Sequence, residues 1–551
     1  MQSRIFSHPG PWVLVLAWVA LWALVNPSGD FPLNDDWTYS RAVKTLVEDH
    51  RLELDNWGEM TLIAHLSWGF LFCKVYGFSF TVLLWSTLAW SLVGALGLWR
   101  LARDQGYRHG SSLLWGLLLL FNPMYAGLSF TYMTDVPFTA VVIWLTVFLA
   151  RAMREPHTSH LLWAALLAVV AVLMRQLAFV WPLAFALAGG WHYRFHWLQW
   201  WRWSLPLLLS VGAYFAYLGF GNTMGFLPET FNSKLALLWE VITHPDWRLV
   251  RNVAGYALVS LGYLGLFALP VILLEPRTEP RWKRHLMLWT GLAAGIGLLI
   301  GGKAFPTLDN VWVDWGIGPV TTPDHFGNVT QWPAPQLPVA ISWVLTLVGV
   351  LASTVIWERW RSQSKRFFTP VLSLSFTGPI GPMAAVGLLI YLAPLWCTGL
   401  YDRYLPPLFP FLVLLLSQHD AIGERNHRPP LRWAVRSMVI ICVGFAVAAA
   451  HDYMEMNRVR WQALQELTEH HKIPKDRIVG GVEFDAWNHF SNDNREWYTT
   501  YTADYMVTLS PVQGYVVVSE HAWSRWLPGE GSVYILVKDE NLRPLSPPES
   551  G

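Results

Sequence analysis

Over its first 450 residues the chain alternates long apolar runs with short polar ones. A membrane crossing takes about 20 consecutive, mostly apolar residues. Thirteen stretches approach that standard: 11–26, 79–99, 111–130, 135–150, 159–174, 177–190, 204–220, 253–274, 286–301, 338–357, 378–396, 405–417 and 433–450. The stretches 159–174, 177–190 and 405–417 are short for full crossings, and a miscount at any of them reverses the sidedness of everything after it. The first run, Pro11 to Val25, has the length of a secretion signal's apolar part. Asn26-Pro27-Ser28 follows it instead of a small-residue cleavage site, so it reads as a retained span.

Basic residues set the orientation of such a chain. With a cytoplasmic N-terminus, the connections 100–108, 151–158, 191–203, 275–285, 358–368 and 418–436 are the denser in Lys and Arg and face the cytoplasm. Thirteen crossings then leave the C-terminus outside. Three long outer segments follow: 27–78, 221–252 and 302–337. The first carries Asp35-Asp36-Trp37-Thr38-Tyr39 and then Ser40 to His50, which predicts a short amphipathic helix. Its 61–76 part is apolar but holds His65 and Lys74, so it is expected to lie along the interface. The second segment has an amphipathic stretch from Phe231 to Thr243, and the third is a Pro-, Gly- and Asp-rich loop of a length that is usually functional or mobile.

From His451 the pattern changes. Met454 to His470 predicts a charged helix, and Ile478-Val479, Tyr515 to Val518 and Val533 to Val537 predict short strands. The expectation is a membrane domain over 1–450 and a small extracytoplasmic α/β domain over 451–551, with a disordered tail after Leu542. The fold class is mainly α: a polytopic helical membrane protein with a small C-terminal extramembrane domain. No internal repeat, P-loop or dinucleotide fingerprint is present.

Composition agrees. Charged residues make up 14% of the 551, against about 25% in soluble domains, and mean hydropathy is +0.31. A net charge of +1 gives no bulk basic character, so nucleic acid is not an expected partner, whereas membrane lipids are. Many of the 35 Trp sit near the ends of apolar runs, where the indole is half buried and its N–H stays wet. The three cysteines, Cys73, Cys397 and Cys442, lack metal-type spacing; Cys442 falls within a span, and a pairing of Cys73 with Cys397 outside the membrane stays open.

Several polar residues sit where desolvation is costly. Asp35 and Asp36 follow the first span directly, and adjacent acids so near a bilayer ask for a task or a partner. They would equally serve as solvated loop acids or a cap for the following helix. Tyr39 falls one helical turn after Asp35 and shares its face. Asp135, in Thr131-Tyr132-Met133-Thr134-Asp135-Val136-Pro137, opens the fourth span on the outer side; Thr134 or Asp135 as N-cap explains it too, and would still point an acid into an outer cavity. Arg403, in Tyr401-Asp402-Arg403-Tyr404, is a fork suited to phosphate, or an interface arginine paired with Asp402. Arg175 interrupts an apolar stretch, which marks a functional candidate. Lys303, at the start of the third outer loop, is a further one, while His470-His471 reads as a solvated helix end.

The run Asn34-Asp35-Asp36-Trp37-Thr38-Tyr39 between a first span and an amphipathic helix resembles the first outer loop of GT-C fold membrane glycosyltransferases, in their protein O-mannosyltransferase-like and aminoarabinose-transferase-like branch. Thr134-Asp135-Val136-Pro137 and Arg403-Tyr404-Leu405-Pro406-Pro407 resemble later motifs of that branch. The likeness covers the first 150 residues best, plus the segment near 400. One departure stands out: the aminoarabinose branch has a Glu-Lys pair before its second span, and here Glu59 is followed by Met60.

The resemblance implies a sugar carried on a polyprenyl phosphate and moved, with inversion, to a lipid, glycan or protein acceptor on the outer face. It implies Asp35 as the group that orients or deprotonates the acceptor, with Asp36 and Asp135 shaping the acceptor pocket. Arg403, with Arg175 or Lys303, would hold the phosphate, and Tyr39, Glu59 and Tyr404 would contact substrate. The sequence does not show that a cofactor is needed; carboxylate oxygens suit hard cations, so Asp35, Asp36 and Asp135 are the candidates to hold a divalent metal. A transporter or lipid flippase, or a scaffold subunit of an envelope complex, would also fit many spans with internal charges. The absence of a retention signal points to a bacterial inner membrane. Asn328-Val329-Thr330 is an outer-side glycosylation sequon.

Overall fold

The computed structural model describes residues 8–155, 157–192, 197–274, 280–308, 310–317, 321–323, 329–331, 336–368, 379–417, 429–492 and 504–539. Asn328 of the sequon and the tail after Leu542 lie outside the described residues. The helices are α1 (Pro9–Val25), α2 (Asp36–Glu48), α3 (Ile63–Tyr76), α4 (Phe80–Asp104), α5 (His109–Leu120), α6 (Pro123–Leu128), α7 (Asp135–Arg154), α8 (Thr158–Val172), α9 (Val180–His192), α10 (Trp197–Met224), α11 (Ser233–Thr243), α12 (Trp247–Leu274), α13 (Arg281–Ile300), α14 (Val339–Phe368), α15 (Ile380–Thr398), α16 (Phe409–Leu416), α17 (Pro429–Gln465) and α18 (Val482–His489).

Every apolar stretch read from the sequence is helical, but not every one is a full crossing. Among the described residues, seven helices are long and apolar enough to cross a membrane: α4, α7, Trp200–Met224 of α10, α12, Val339–Ser364 of α14, α15, and Pro429–His470, which begins with α17. Helices α1, α5 and α8 are apolar but shorter. The stretch 111–130 divides because Asn122 accepts N–H bonds from Met124 and Tyr125 and Pro123 has none to offer, so a new helix starts there. The stretch 405–417 opens with two 3₁₀ turns at Asp402–Tyr404 and Pro406–Leu408 before the eight residues of α16. Large apolar side chains such as Leu16, Phe215, Trp289 and Ile441 point outward, the surface an integral membrane protein gives to lipid.

The most buried of the seven is α7, whose Val136, Phe138, Val142, Ile143 and Leu145 are wholly buried. Glycines let α12 and α14 approach: a Cβ on Gly265 would stand 2.1 Å from the Gly349 carbonyl oxygen.

Helix α17 runs unbroken through residue 451, so the last span and the first helix of the C-terminal region are one rod, followed by a π turn at Glu466–His470. The three expected strands form, and a fourth joins them. The strands β5 (Ile478–Val479), β6 (Tyr505–Thr508), β7 (Tyr515–Ala522) and β8 (Ser532–Lys538) make a sheet in the order β5-β6-β8-β7, in which only β5 and β6 are parallel. Before them in the chain, β1 (Trp312–Val313) pairs with β2 (Gly316–Ile317), and β3 (Thr321–Pro323) with β4 (Val329–Gln331). All three cysteines are free; the Cys442 thiol donates to the Phe121 carbonyl.

Candidate active site

The first outer loop turns sharply at Asn34, whose φ of 56° is a left-handed geometry that Asn tolerates better than most residues. Asp36 locks the turn. One carboxylate oxygen accepts the Leu33 N–H at 2.6 Å, and the other accepts the Tyr132 N–H at 3.0 Å from the segment before α7. Burial raises the Asp36 pKa well above the usual carboxylate range despite these donors, and the Glu483 and Asp35 carboxylates add to the rise. Asp36 thus anchors the loop, with both of its oxygens taken by backbone N–H groups.

Asp35 stands next to this anchor, at the N-cap position of α2, without capping it. Its carboxylate accepts the Trp57 indole N–H at 3.0 Å and lies 3.5 Å from the Arg403 guanidinium. Tyr39 is buried behind it, edge-on to the His65 ring, and burial and Asp35 both push its phenol pKa up. His65 stacks on Tyr132 at 4.2 Å, and its Nε2 meets the Tyr132 carbonyl at 3.1 Å while the Tyr132 hydroxyl donates to the His65 carbonyl. Burial lowers the His65 pKa to about 4, so the ring is neutral and donates from Nε2.

A second pair sits deeper. Asp135, in the first turn of α7, lies 2.8 Å from Arg175, both almost wholly buried. Arg175 also donates from Nε and Nη2 to the Thr134 hydroxyl, at 2.8 and 2.5 Å. Thr134 is therefore at the N-cap position but takes its bond from Arg175 instead of capping the helix. Neither Asp135 oxygen has an aligned hydrogen bond among the described residues.

Arg403 joins the two pairs. Its guanidinium carbon lies 5.7 Å from the rings of both Tyr401 and Tyr404, and its Nε has no hydrogen-bond partner among the described residues. Burial opposes its charge, but Asp135, Tyr404, Asp35 and Tyr39 outweigh that and raise its pKa. Asp402 fixes the Arg403 backbone. Its buried carboxylate accepts the N–H groups of Val311 and Trp312, tying the 3₁₀ turn to the third outer segment. Burial, only partly offset by these bonds, raises Asp402 to about 7. Asp402 therefore does not pair with Arg403 as the interface alternative required. Tyr404 contributes its ring to Arg403 and its carbonyl to the Tyr391 hydroxyl.

Two candidates lie apart. Glu59 binds the Ser233 hydroxyl at 2.6 Å and Lys234 at 3.5 Å, so it ties the first outer segment to α11. Lys303 sits over the Tyr256 ring and lines a groove of about 660 Å³ with Arg251, Tyr256 and Leu298. Trp57 was not anticipated; an aromatic residue in the polar run Asp55-Asn56-Trp57 was the available signal.

The acids do not fit a divalent ion as arranged. Asp36 is held by backbone donors and Asp35 and Asp135 each face an arginine, so a dication would meet two guanidinium charges. Among the described residues no group of three or more His, Cys, Asp or Glu side chains is disposed to hold a metal.

Residues 66–218 match the profile of the dolichyl-phosphate-mannose-protein mannosyltransferase family. No curated protein matches. Among solved structures, the archaeal oligosaccharyltransferase AglB from Archaeoglobus fulgidus, in complex with an inhibitory peptide and a dolichol-phosphate, is similar at 13% identity and TM-score 0.42, over 91% of this chain and 60% of its own. The chain therefore spans about 60% of that protein's length. ArnT from Cupriavidus metallidurans bound to undecaprenyl phosphate aligns at 12% identity and TM-score 0.42, over 98% of this chain and 100% of its own. Arabinosyltransferase EmbB from Mycobacterium smegmatis aligns at 13% identity and TM-score 0.34, over 84% of this chain and 43% of its own. The chain is thus an integral membrane protein whose residues 66–218, which hold both Asp135 and Arg175, are similar to the dolichyl-phosphate-mannose-protein mannosyltransferase family.

Proposed function

We propose that the protein transfers a sugar from a polyprenyl-phosphate carrier to a hydroxyl or amine acceptor at the outer membrane surface. The observation that carries this reading is the Asp35–Arg403 contact at 3.5 Å, which brings a half-exposed carboxylate and a phosphate-type fork from distant parts of the chain to one place. That gap is longer than the roughly 2.7–2.9 Å of a tight charge-assisted bond. An incoming phosphate can therefore take over the guanidinium and leave Asp35 to the acceptor.

In the reaction the acceptor's O–H or N–H gives its proton to Asp35 as its lone pair attacks the anomeric carbon. The bond from that carbon to the phosphate oxygen breaks, and its electron pair stays on the polyprenyl phosphate, whose added charge Arg403 stabilises. A single displacement of this kind inverts the anomeric centre. The groove beside Lys303 supports the lipid side of the reading, with Arg251 and Lys303 offering cations above the apolar Leu258, Val259 and Leu298. Asp135 and Arg175 hold the end of α7 in place behind the site.

The protein belongs, on this reading, to a bacterial inner membrane with the C-terminal region outside. Mannose is the first sugar to try, because the matching family's description names it. The acceptor is a lipid, glycan or protein. The test is transfer of radiolabelled sugar from undecaprenyl- and dolichyl-phosphate mannose in membranes carrying the protein, with Asp35→Asn as the comparison. Transfer lost in the variant, with insertion intact, supports the reading; near-normal transfer by Asp35→Asn overturns it.

A further inference from the structure

The loop that carries Asp35 is not held by the membrane helices alone. Glu483, at the start of α18 in the C-terminal region, is buried, and one of its oxygens accepts the N–H of Asn34 at 3.1 Å. Its other oxygen is 2.9 Å from Arg460 of α17, which is equally buried. Asn34 is the residue with φ at 56°, immediately before Asp35. Two consecutive backbone positions of the turn are thus divided between two anchors: Asp36 holds Leu33, and Glu483 holds Asn34.

The docking around this contact is extensive. Trp37, wholly buried, packs on Ala486 and Phe490 of the α18 region. Arg41 donates to the carbonyls of Ala486, Trp487 and Phe490, at 2.9, 3.0 and 3.2 Å. These carbonyls lie at the C-terminal end of α18, where a cation is favoured. The tip of the first outer loop also touches the C-terminal region, since Asn56 donates its backbone N–H to the Asn492 side chain. Helix α2, whose N-cap position is the candidate base, is therefore packed between α3 and α18 of the C-terminal region.

We propose that Glu483 is a positioning residue for Asp35, so that the C-terminal region completes the active site. The proposal rests on the transfer reading above for its catalytic consequence, but not for its geometry. Without the Glu483 contact the Asn34 N–H is left without its acceptor, the left-handed turn loses one of its two anchors, and the Asp35 carboxylate spreads over several orientations. A displacement of about 1 Å at such a group can cost on the order of 10²-fold in rate.

The test uses the full-length protein and two readouts. Removing one partner of a buried ion pair is expected to unfold the region locally, whereas replacing both with apolar residues of similar size is often tolerated. The main variant is therefore the double substitution Glu483→Leu with Arg460→Met, checked for unchanged thermal inactivation in detergent. The first readout needs no substrate. In protein with Cys73, Cys397 and Cys442 replaced by alanine, Asp35→Cys and Arg403→Cys are bridged with a short bifunctional thiol reagent. The proposal expects bridging to slow about 10-fold when the ion pair is replaced.

The second readout is transfer from radiolabelled undecaprenyl-phosphate mannose. The proposal expects kcat to fall about 10²-fold with donor KM unchanged, because Arg403 is untouched, and Glu483→Gln, which keeps an acceptor for Asn34, to recover most of the loss seen in Glu483→Ala. Bridging and kcat both within about twofold of the unsubstituted protein would overturn the proposal. If instead Asp35→Asn still transfers sugar, the transfer reading fails, and the bridging rates alone decide whether Glu483 orders the turn.

Discussion

Two carboxylate–guanidinium pairs lie near one another and differ in nearly everything but composition. Asp135 and Arg175 stand at 2.8 Å, with side chains 3% and 8% exposed, and both arise inside the segment 66–218. Asp35 and Arg403 stand at 3.5 Å, with side chains 28% and 14% exposed, and come from the two ends of the membrane region. The first pair is closed: Arg175 is also bound to Thr134 and lies over the Phe138 ring. The second is open: the Arg403 Nε has no partner among the described residues, and Asp35 is partly exposed. A buried pair stabilises through what its loss would leave uncompensated. A half-exposed pair contributes little stability and is free to exchange partners, as a catalytic pair must.

Substitutions break or sharpen that contrast. The largest effect is expected at the open pair: Asp35→Asn should lower transfer by about 10²–10⁴-fold while the protein still inserts and keeps its thermal inactivation temperature. At the closed pair the loss should fall on the fold instead. Arg175→Met leaves Asp135 as a buried, unpaired charge, and a destabilisation of about 3–5 kcal/mol should appear as early thermal inactivation in detergent. Arg403→Lys keeps the charge but loses the planar fork, and should lower kcat/KM for the lipid-linked donor about 10²-fold with little change in stability.

A pH experiment probes the support of the open pair. Burial raises Asp402 to about 7, so the folded protein holds this proton more tightly than the unfolded chain, whose aspartates titrate near 3.9. The contribution of this group to stability is then fully present at low pH and is lost as pH rises from about 4 to about 7. Asp402→Asn removes that titration, so its stability relative to the unsubstituted protein should rise with pH across this window; a difference independent of pH would refute the assignment. The smallest effect is expected at Lys44 and Glu48, an exposed pair 3.7 Å apart on α2. Lys44→Gln should change both stability and transfer by less than about twofold, since such pairs are worth a few tenths of a kcal/mol.

The elements that were legible from the chain are those with a strong one-dimensional signal. Each of the apolar runs became a helix, because a membrane segment must satisfy its backbone polar groups internally. Strand β6 was missed because Tyr505–Thr508 is four residues long and lacks the alternation that marks a half-buried strand; it is interior to the sheet, between β5 and β8. The break at 451 was read from a rise in charged residues, yet α17 passes through it, since a helix can change from lipid to water without changing its hydrogen bonds.

For the site, the sequence by itself determined which residues were chemically conspicuous: Asp35, Asp36, Asp135, Arg175 and Arg403 stand out because charge beside long apolar runs is costly unless compensated. Only the tertiary structure decided their partners. It gave Asp36 to the Leu33 and Tyr132 backbone, Asp402 to Val311 and Trp312, Glu59 to α11, and Asn34 to Glu483. The reason is physical: desolvation cost is set by a residue's own neighbours along the chain and can be read there, whereas compensation depends mostly on groups brought from distant parts of the chain, and no local pattern records which they are.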